Sequence, residues 1–83
     1  MTIHLRLRYF AALRETIGAS QEEWDLPPGA TIALVRQSLI TRYPATATIV
    51  VRCVAAHNRA FAPDDTALAD GDEIVFLPPM AGG

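Results

Sequence analysis

Ile3, Leu5, Leu7 and Tyr9 are separated by His4, Arg6 and Arg8. A period of two predicts a β-strand with one face in a core. The period then changes over residues 10–18. Leu13 and Ile17 lie four apart, and Gly18 suits the left-handed position past a helix end, so a short helix is expected. Residues 22–26 read as a weaker strand with Trp24 and Leu26 on one side, closed by Pro27-Pro28-Gly29. Thr31 is placed to cap the main helix, whose apolar stripe Ile32, Val35, Leu39, Tyr43 recurs at spacings of three and four until Pro44. Residues 49–57 and 60–62 read as two strands joined at Asn58-Arg59, because Asn tolerates the positive φ of tight hairpins. Pro63-Asp64-Asp65 and Asp70-Gly71 are turn signals. Ile74-Val75-Phe76-Leu77 is apolar on both faces, as expected for a strand inside a sheet.

The expected order is strand, short helix, strand, main helix and three further strands. It predicts an α+β fold, a mixed sheet packed on one main helix plus a short helix. A chain of 83 residues holds one domain, near the lower size limit for a self-sufficient core. We assign that domain to residues 1–77 and an extended, flexible C-terminal tail to 78–83.

The formal net charge is −2 and the pI about 5.5, which argues against nucleic acid as the main partner. Arg6, Arg8 and Arg14 gather near the N-terminus, but they read as a solvated strand edge and helix face. No apolar run is long enough to cross a membrane, and the alternating N-terminus lacks the continuous apolar stretch of a signal peptide. No membrane association and a cytoplasmic location are expected. Cys53 is the only cysteine and reads as a small buried hydrophobe in a strand. The sharper reading, a sulfur-transfer thiol, needs an electropositive, accessible setting that the sequence does not show. His57 reads as a strand-end residue rather than a ligand. Asp64, Asp65, Asp70, Asp72 and Glu73 lack the ligand spacing of a calcium loop and read as turn residues, so no metal site is expected. No catalytic triad or phosphate loop is found.

The candidate chemistry lies at the end. After Leu77 come Pro78-Pro79-Met80-Ala81-Gly82-Gly83. Neither proline can donate to a sheet ladder, so the last strand is expected to stop there. Six extended residues reach roughly 20 Å. Two terminal glycines, lacking Cβ atoms, can thread a channel too narrow for any other residue. A frayed terminus would also be small and loose; the rigid apolar strand and double proline leading into the glycines favour a working tail.

The chain resembles the small, sulfur-carrier subunit family of molybdopterin synthase. The resemblance rests on Tyr9-Phe10-Ala11-Ala12-Leu13-Arg14-Glu15, the Asn58 hairpin, residues 68–76 with Asp70-Gly71-Asp72-Glu73, and above all Pro78-Pro79-Met80-Ala81-Gly82-Gly83. It spans almost the whole chain. Met80 and Ala81 stand where many members have Val and Ser or Thr, and His57 stands where a small apolar residue is usual.

The resemblance implies a ubiquitin-like β-grasp fold. It implies that the terminal glycine, here Gly83, is adenylated by an E1-like activating enzyme using ATP and Mg, and becomes a thiocarboxylate. No cofactor is expected to stay bound to this chain. Gly82, Ala81 and Met80 would thread the active site of a large synthase subunit, within a heterotetramer, where sulfur passes to a cyclic pterin precursor. Catalytic groups are expected on that large subunit. Phe10, Phe61 and Leu77 match positions of an apolar docking surface, and Arg14 a position near the partner interface. For Phe61 core packing stays open, and for Arg14 a solvated helix position. A thiamine-pathway or tRNA-thiolation carrier, a ubiquitin-like modifier and a non-catalytic β-grasp binding module are the alternatives.

Overall fold

A computed structural model of the chain describes residues 1–78. The strands are β1 (Ile3–Tyr9), β2 (Gln21–Leu26), β3 (Val54–His57), β4 (Ala60–Phe61) and β5 (Glu73–Leu77). The helices are α1 (Ala11–Ile17), α2 (Ile32–Arg42) and α3 (Ala47–Val50), the last preceded by a 3-10 turn at Pro44–Thr46. The sheet order is β2-β1-β5-β3-β4. β1 and β5 pair in parallel at the centre, and every other neighbouring pair is antiparallel. A mixed sheet with helices on one side is the expected α+β arrangement.

Alternation in β1 is strict: Ile3, Leu5, Leu7 and Tyr9 are buried and His4, Arg6 and Arg8 exposed. The buried set meets Ile32, Val35 and Leu39 of α2, Leu13 of α1, and Ile74 and Phe76 of β5 in one core. Thr31 caps α2 by accepting from the Leu34 N–H at 3.3 Å. Gly18 ends α1 with φ 87° and donates its N–H to Arg14 O at 2.8 Å. Asn58 and Arg59 both take positive φ, 49° and 74°, the requirement of a tight two-residue hairpin.

One expectation fails. The strand read over 49–57 begins only at Val54, because residues 47–50 form a helical turn and Val51-Arg52 continue into a turn. Thr46 and Val50, four apart, are fully buried, while Val51 and Arg52 are exposed and Cys53 is buried again. That spacing is helical, and the segment packs against α1 and α2, with Thr46 and Val50 buried, instead of joining a ladder. Cys53 is therefore a loop residue, although it is packed in the core as expected.

Two charged side chains fasten the helices to the sheet. The guanidinium of Arg36 on α2 donates to the carbonyl oxygens of Val50 and Cys53, pairs with Asp64 at 2.9 Å, and lies 5.2 Å from the Phe76 ring centre. At the opposite edge the Glu22 carboxylate accepts from Tyr9 Oη at 2.8 Å, Trp24 Nε1 at 3.2 Å and Tyr43 Oη. Burial alone would raise the Glu22 pKa; the three donated hydrogen bonds outweigh it and hold the carboxyl below its ordinary value of 4.5. A depressed carboxyl adds stability above the unfolded pKa and loses it as pH falls through the folded one. Glu22→Ala strands the hydroxyl of Tyr9, which is 1% exposed, and should cost about 1–3 kcal/mol. Thermal melts across pH should show a smaller loss of stability below pH 4.5 in Glu22→Gln than in the parent; equal acid sensitivity would remove Glu22 from this role.

Candidate functional site

Parallel pairing of β1 with β5 and antiparallel pairing of β5 with β3 set the outer face of the sheet. Arg8 is level with Val75, Val75 with Ala56, and Ala56 with Phe61. One step further, Leu77 is level with Val54. Phe10 continues β1 in extended backbone, φ −132° and ψ 160°, which brings it level with Leu77 on the same face. Phe10 is 40% exposed, Val54 43% and Phe61 76%. Leu77 is half-buried. Val54, Phe61, Ala62 and Pro63 line an open hollow of about 470 Å³.

The apolar half of this face ends where β5 ends. Leu77 is its last strand residue and Pro78 is exposed beside it. The expected threading residues Met80, Ala81 and Gly82, and Gly83, expected to react, lie outside the described residues. Phe10 and Leu77 share the outer face, as the strand alternation predicted. Phe61 is solvent-facing and joins them, so core packing is no longer open for it. Arg14 does not share this surface: it is exposed on α1, which packs through Leu13 into the helical layer. Val54 and Val75 were missed. A strand over 49–57 puts Val54 in mid-strand, whereas its register with Leu77 at the start of β3 leaves it 43% exposed.

The other half of the outer face is charged. Arg6 and Arg8 of β1 are flanked by Glu73 and by Glu23 and Asp25 of β2. Arg8 lies 5.7 Å from the Phe10 ring centre, a cation–π contact at the border of the two halves, and 4.0 Å from Glu73. His4 bridges Asp25 at 2.9 Å and Glu23, and these two hydrogen bonds raise its pKa.

The remaining candidates have structural partners. Cys53 is 6% exposed, and burial pushes its thiol pKa up against a smaller opposing effect of Arg36. A protonated, covered thiol is a poor nucleophile. His57 contacts Asp72 at 2.6 Å, Asn58 Nδ2 donates to Asp72 at 3.0 Å, and the Ala69 N–H donates to it at 2.8 Å. Burial raises the Asp72 pKa, but these partners carry it below the ordinary value. Asp72 thus pins the Asn58 hairpin to the turn before β5, and Asp64 serves Arg36. Among the described residues no group of three or more His, Cys, Asp or Glu side chains could hold a metal ion.

Two measurements check these placements. Phe61→Ala should leave the melt within about 0.5 kcal/mol of the parent, whereas Phe76→Ala should cost about 3–5 kcal/mol. Cys53 should react with a thiol reagent at least about tenfold more slowly in native protein than in denaturant; equal rates would contradict its burial.

A model of the ThiS family matches residues 7–83. The chain is 32% identical to a molybdopterin synthase sulfur carrier subunit of Chlamydomonas reinhardtii, covering 98% of this chain and 100% of that protein. It is 34% identical to the protein of that name in Mycobacterium tuberculosis, over 98% and 99% of the two chains. The solution structure of the Haloferax volcanii HVO 2177 protein superposes with a TM-score of 0.88 at 31% identity, covering 99% of this chain and 88% of that one. The complex of subunits 1 and 2 of molybdopterin-converting factor from Helicobacter pylori contains the same fold, with a TM-score of 0.65 at 22% identity over 98% of this chain and 100% of that one. With a ubiquitin-like β-grasp fold and a family match that runs from within β1 to Gly83, the chain belongs to the ThiS family of sulfur carriers.

Proposed function

We propose that this chain is the sulfur carrier of molybdopterin synthesis. The observation that carries the reading is similarity over the full chain to proteins of that role, in a sequence ending Gly82-Gly83. The apolar half of the outer face, which finishes at the root of the tail, supports it.

The chemistry begins with a poor electrophile. The Gly83 carboxylate is anionic and has no good leaving group. An E1-like activating enzyme transfers AMP from ATP to it, with Mg, releasing pyrophosphate. A sulfur nucleophile then displaces AMP from the acyl carbon and leaves a thiocarboxylate. The carrier docks on a large synthase subunit in the cytoplasm, and Met80, Ala81 and Gly82 carry the sulfur into that subunit's site. There the thiocarboxylate sulfur passes to a cyclic pterin precursor, building the dithiolene that holds molybdenum. This chain contributes the docking surface and the acyl group; ATP and Mg belong to the activating enzyme. Phe10, Phe61 and Leu77 cover themselves against both partners, because a small domain that leaves large apolar groups uncovered has surface suited to a partner.

Mass spectrometry after incubation with activating enzyme, ATP and a sulfur source should show one oxygen replaced by sulfur at Gly83. Modification of Cys53 instead, or an isopeptide to another protein as the main product, would overturn the reading. Removing Gly82 and Gly83 should abolish sulfur delivery with an unchanged melt. Truncation of an interface anchor often costs about 2 kcal/mol, or roughly thirtyfold in affinity. Phe10→Ala and Phe61→Ala should each weaken titration-calorimetry binding to the large subunit on that scale while staying folded; unchanged affinity in both would place the interface elsewhere.

A further inference from the structure

The sheet has two edges of unequal kind. β4 is two residues long. β2 is six residues long and, among the described residues, pairs only with β1. Six strand residues span roughly 20 Å. The Tyr9 N–H donates to Ser20 O at 2.9 Å, and the β1–β2 register keeps each pair's residue numbers in step with that bond. In an antiparallel ladder bonded pairs alternate with non-bonded ones. Ser20, Glu22, Trp24 and Leu26 therefore turn their backbone groups towards β1. Gln21, Glu23 and Asp25 turn theirs to the open side.

Beside that edge runs a groove of about 520 Å³ between β2 and α2. Trp24, Leu26 and Leu34 supply its apolar surface, Gln37, Ser38 and Thr41 of α2 its polar wall, and Glu23 and Asp25 border it along β2. Arg42 extends along it with its guanidinium 5.5 Å from the Trp24 ring centre. On the opposite face of the same edge the β2 side chains are acidic, beside His4 and Arg6 of β1. Glu23 and Asp25 are more than half exposed. His4 engages Glu23 Oε1 and Asp25 Oδ1, leaving Oε2 and Oδ2 as further acceptors.

From these observations we infer that β2 accepts an extended peptide segment from a partner protein as a sixth strand, with apolar residues alternating with lysine or arginine. The alternation follows from the register. Ligand residues level with Glu23 and Asp25 exchange backbone hydrogen bonds with them and share their acidic outer face, so they carry the cations. The residues between are level with Trp24 and Leu26 and enter the groove, so they are apolar. Strand addition of this kind takes its affinity from the backbone and its selectivity from alternate side chains. Carboxylates on an edge also oppose its pairing with a second copy of itself. The same two side chains thus disfavour self-association and favour a basic strand. This surface is at the far end of the sheet from Phe61, and its use does not depend on the proposed sulfur chemistry.

The probe is an acetylated, amidated seven-residue peptide alternating lysine and valine, titrated into the isotope-labelled full chain at low salt. Amide resonances of residues 21–26 and 34–42 should shift together. A peptide of the same composition with its lysines and valines in separate blocks, and one N-methylated on alternate residues, should each bind at least about tenfold more weakly. Glu23→Gln combined with Asp25→Asn should weaken binding of the alternating peptide by about the same factor with an unchanged melt. Leu34→Glu tests the groove side. Equal affinity for the block peptide, shifts centred on Val54, Phe61 and Leu77, or an edge-to-edge dimer of the free chain by sedimentation would each overturn the inference.

Discussion

β5 is hydrogen-bonded to β1 on one side and β3 on the other. A strand in that position has no free edge, and its side chains meet neighbours on both faces. Ile74 and Phe76 fill the core while Val75 and Leu77 occupy the outer face. The apolar outer surface follows from this one placement: Phe10, Val54 and Phe61 are brought to it by register with β5 and its neighbours. The same hydrogen bonds beside β1 also put Leu77, the last residue of β5, at the apolar end of that surface.

The helical layer depends on charges more than its composition suggests. Arg36 and Glu22 sit at opposite sides of α2, and each satisfies several groups at once. Arg36 takes two main-chain carbonyls from the loop that feeds β3; a lysine, with a compact ammonium in place of a planar fork, could not reproduce that arrangement. Glu22 collects one indole and two phenol donors. The apolar residues decide that the helix packs on the sheet, and these two polar clusters hold it at one position along it.

Most of the fold was legible because its strands and main helix carry clean periods. Ile3 to Tyr9 alternate, and Ile32, Val35 and Leu39 keep a helical spacing. The segment 47–53 was not legible, because Thr48, Ile49, Val50 and Val51 are β-branched and favour strands locally, while packing against α1 and α2 selected a helical turn. Of the candidate site, Phe10 and Leu77 followed from alternation. Phe61 could not be decided from a strand only two residues long. The role of Glu22 was invisible, since its three donors come from Tyr9, Trp24 and Tyr43, and nothing local marks them as neighbours. Arg14, matched by resemblance to a position near the partner interface, stands on α1 and not on the sheet face of Phe10 and Leu77.

The hairpin at Asn58 and Arg59 has a consequence beyond shape. Ala60 and Phe61 alternate across the sheet plane, and only the turn's length decides which of them faces out. One residue added or removed there would exchange their faces, hiding the phenyl ring and presenting a methyl group, with every hydrophobic residue of the protein still present. The identity of the apolar outer surface is thus written partly as a count of residues in a polar loop. A comparison of related chains by side-chain chemistry alone would overlook such a change, and an alignment gap at this loop is where it would be found.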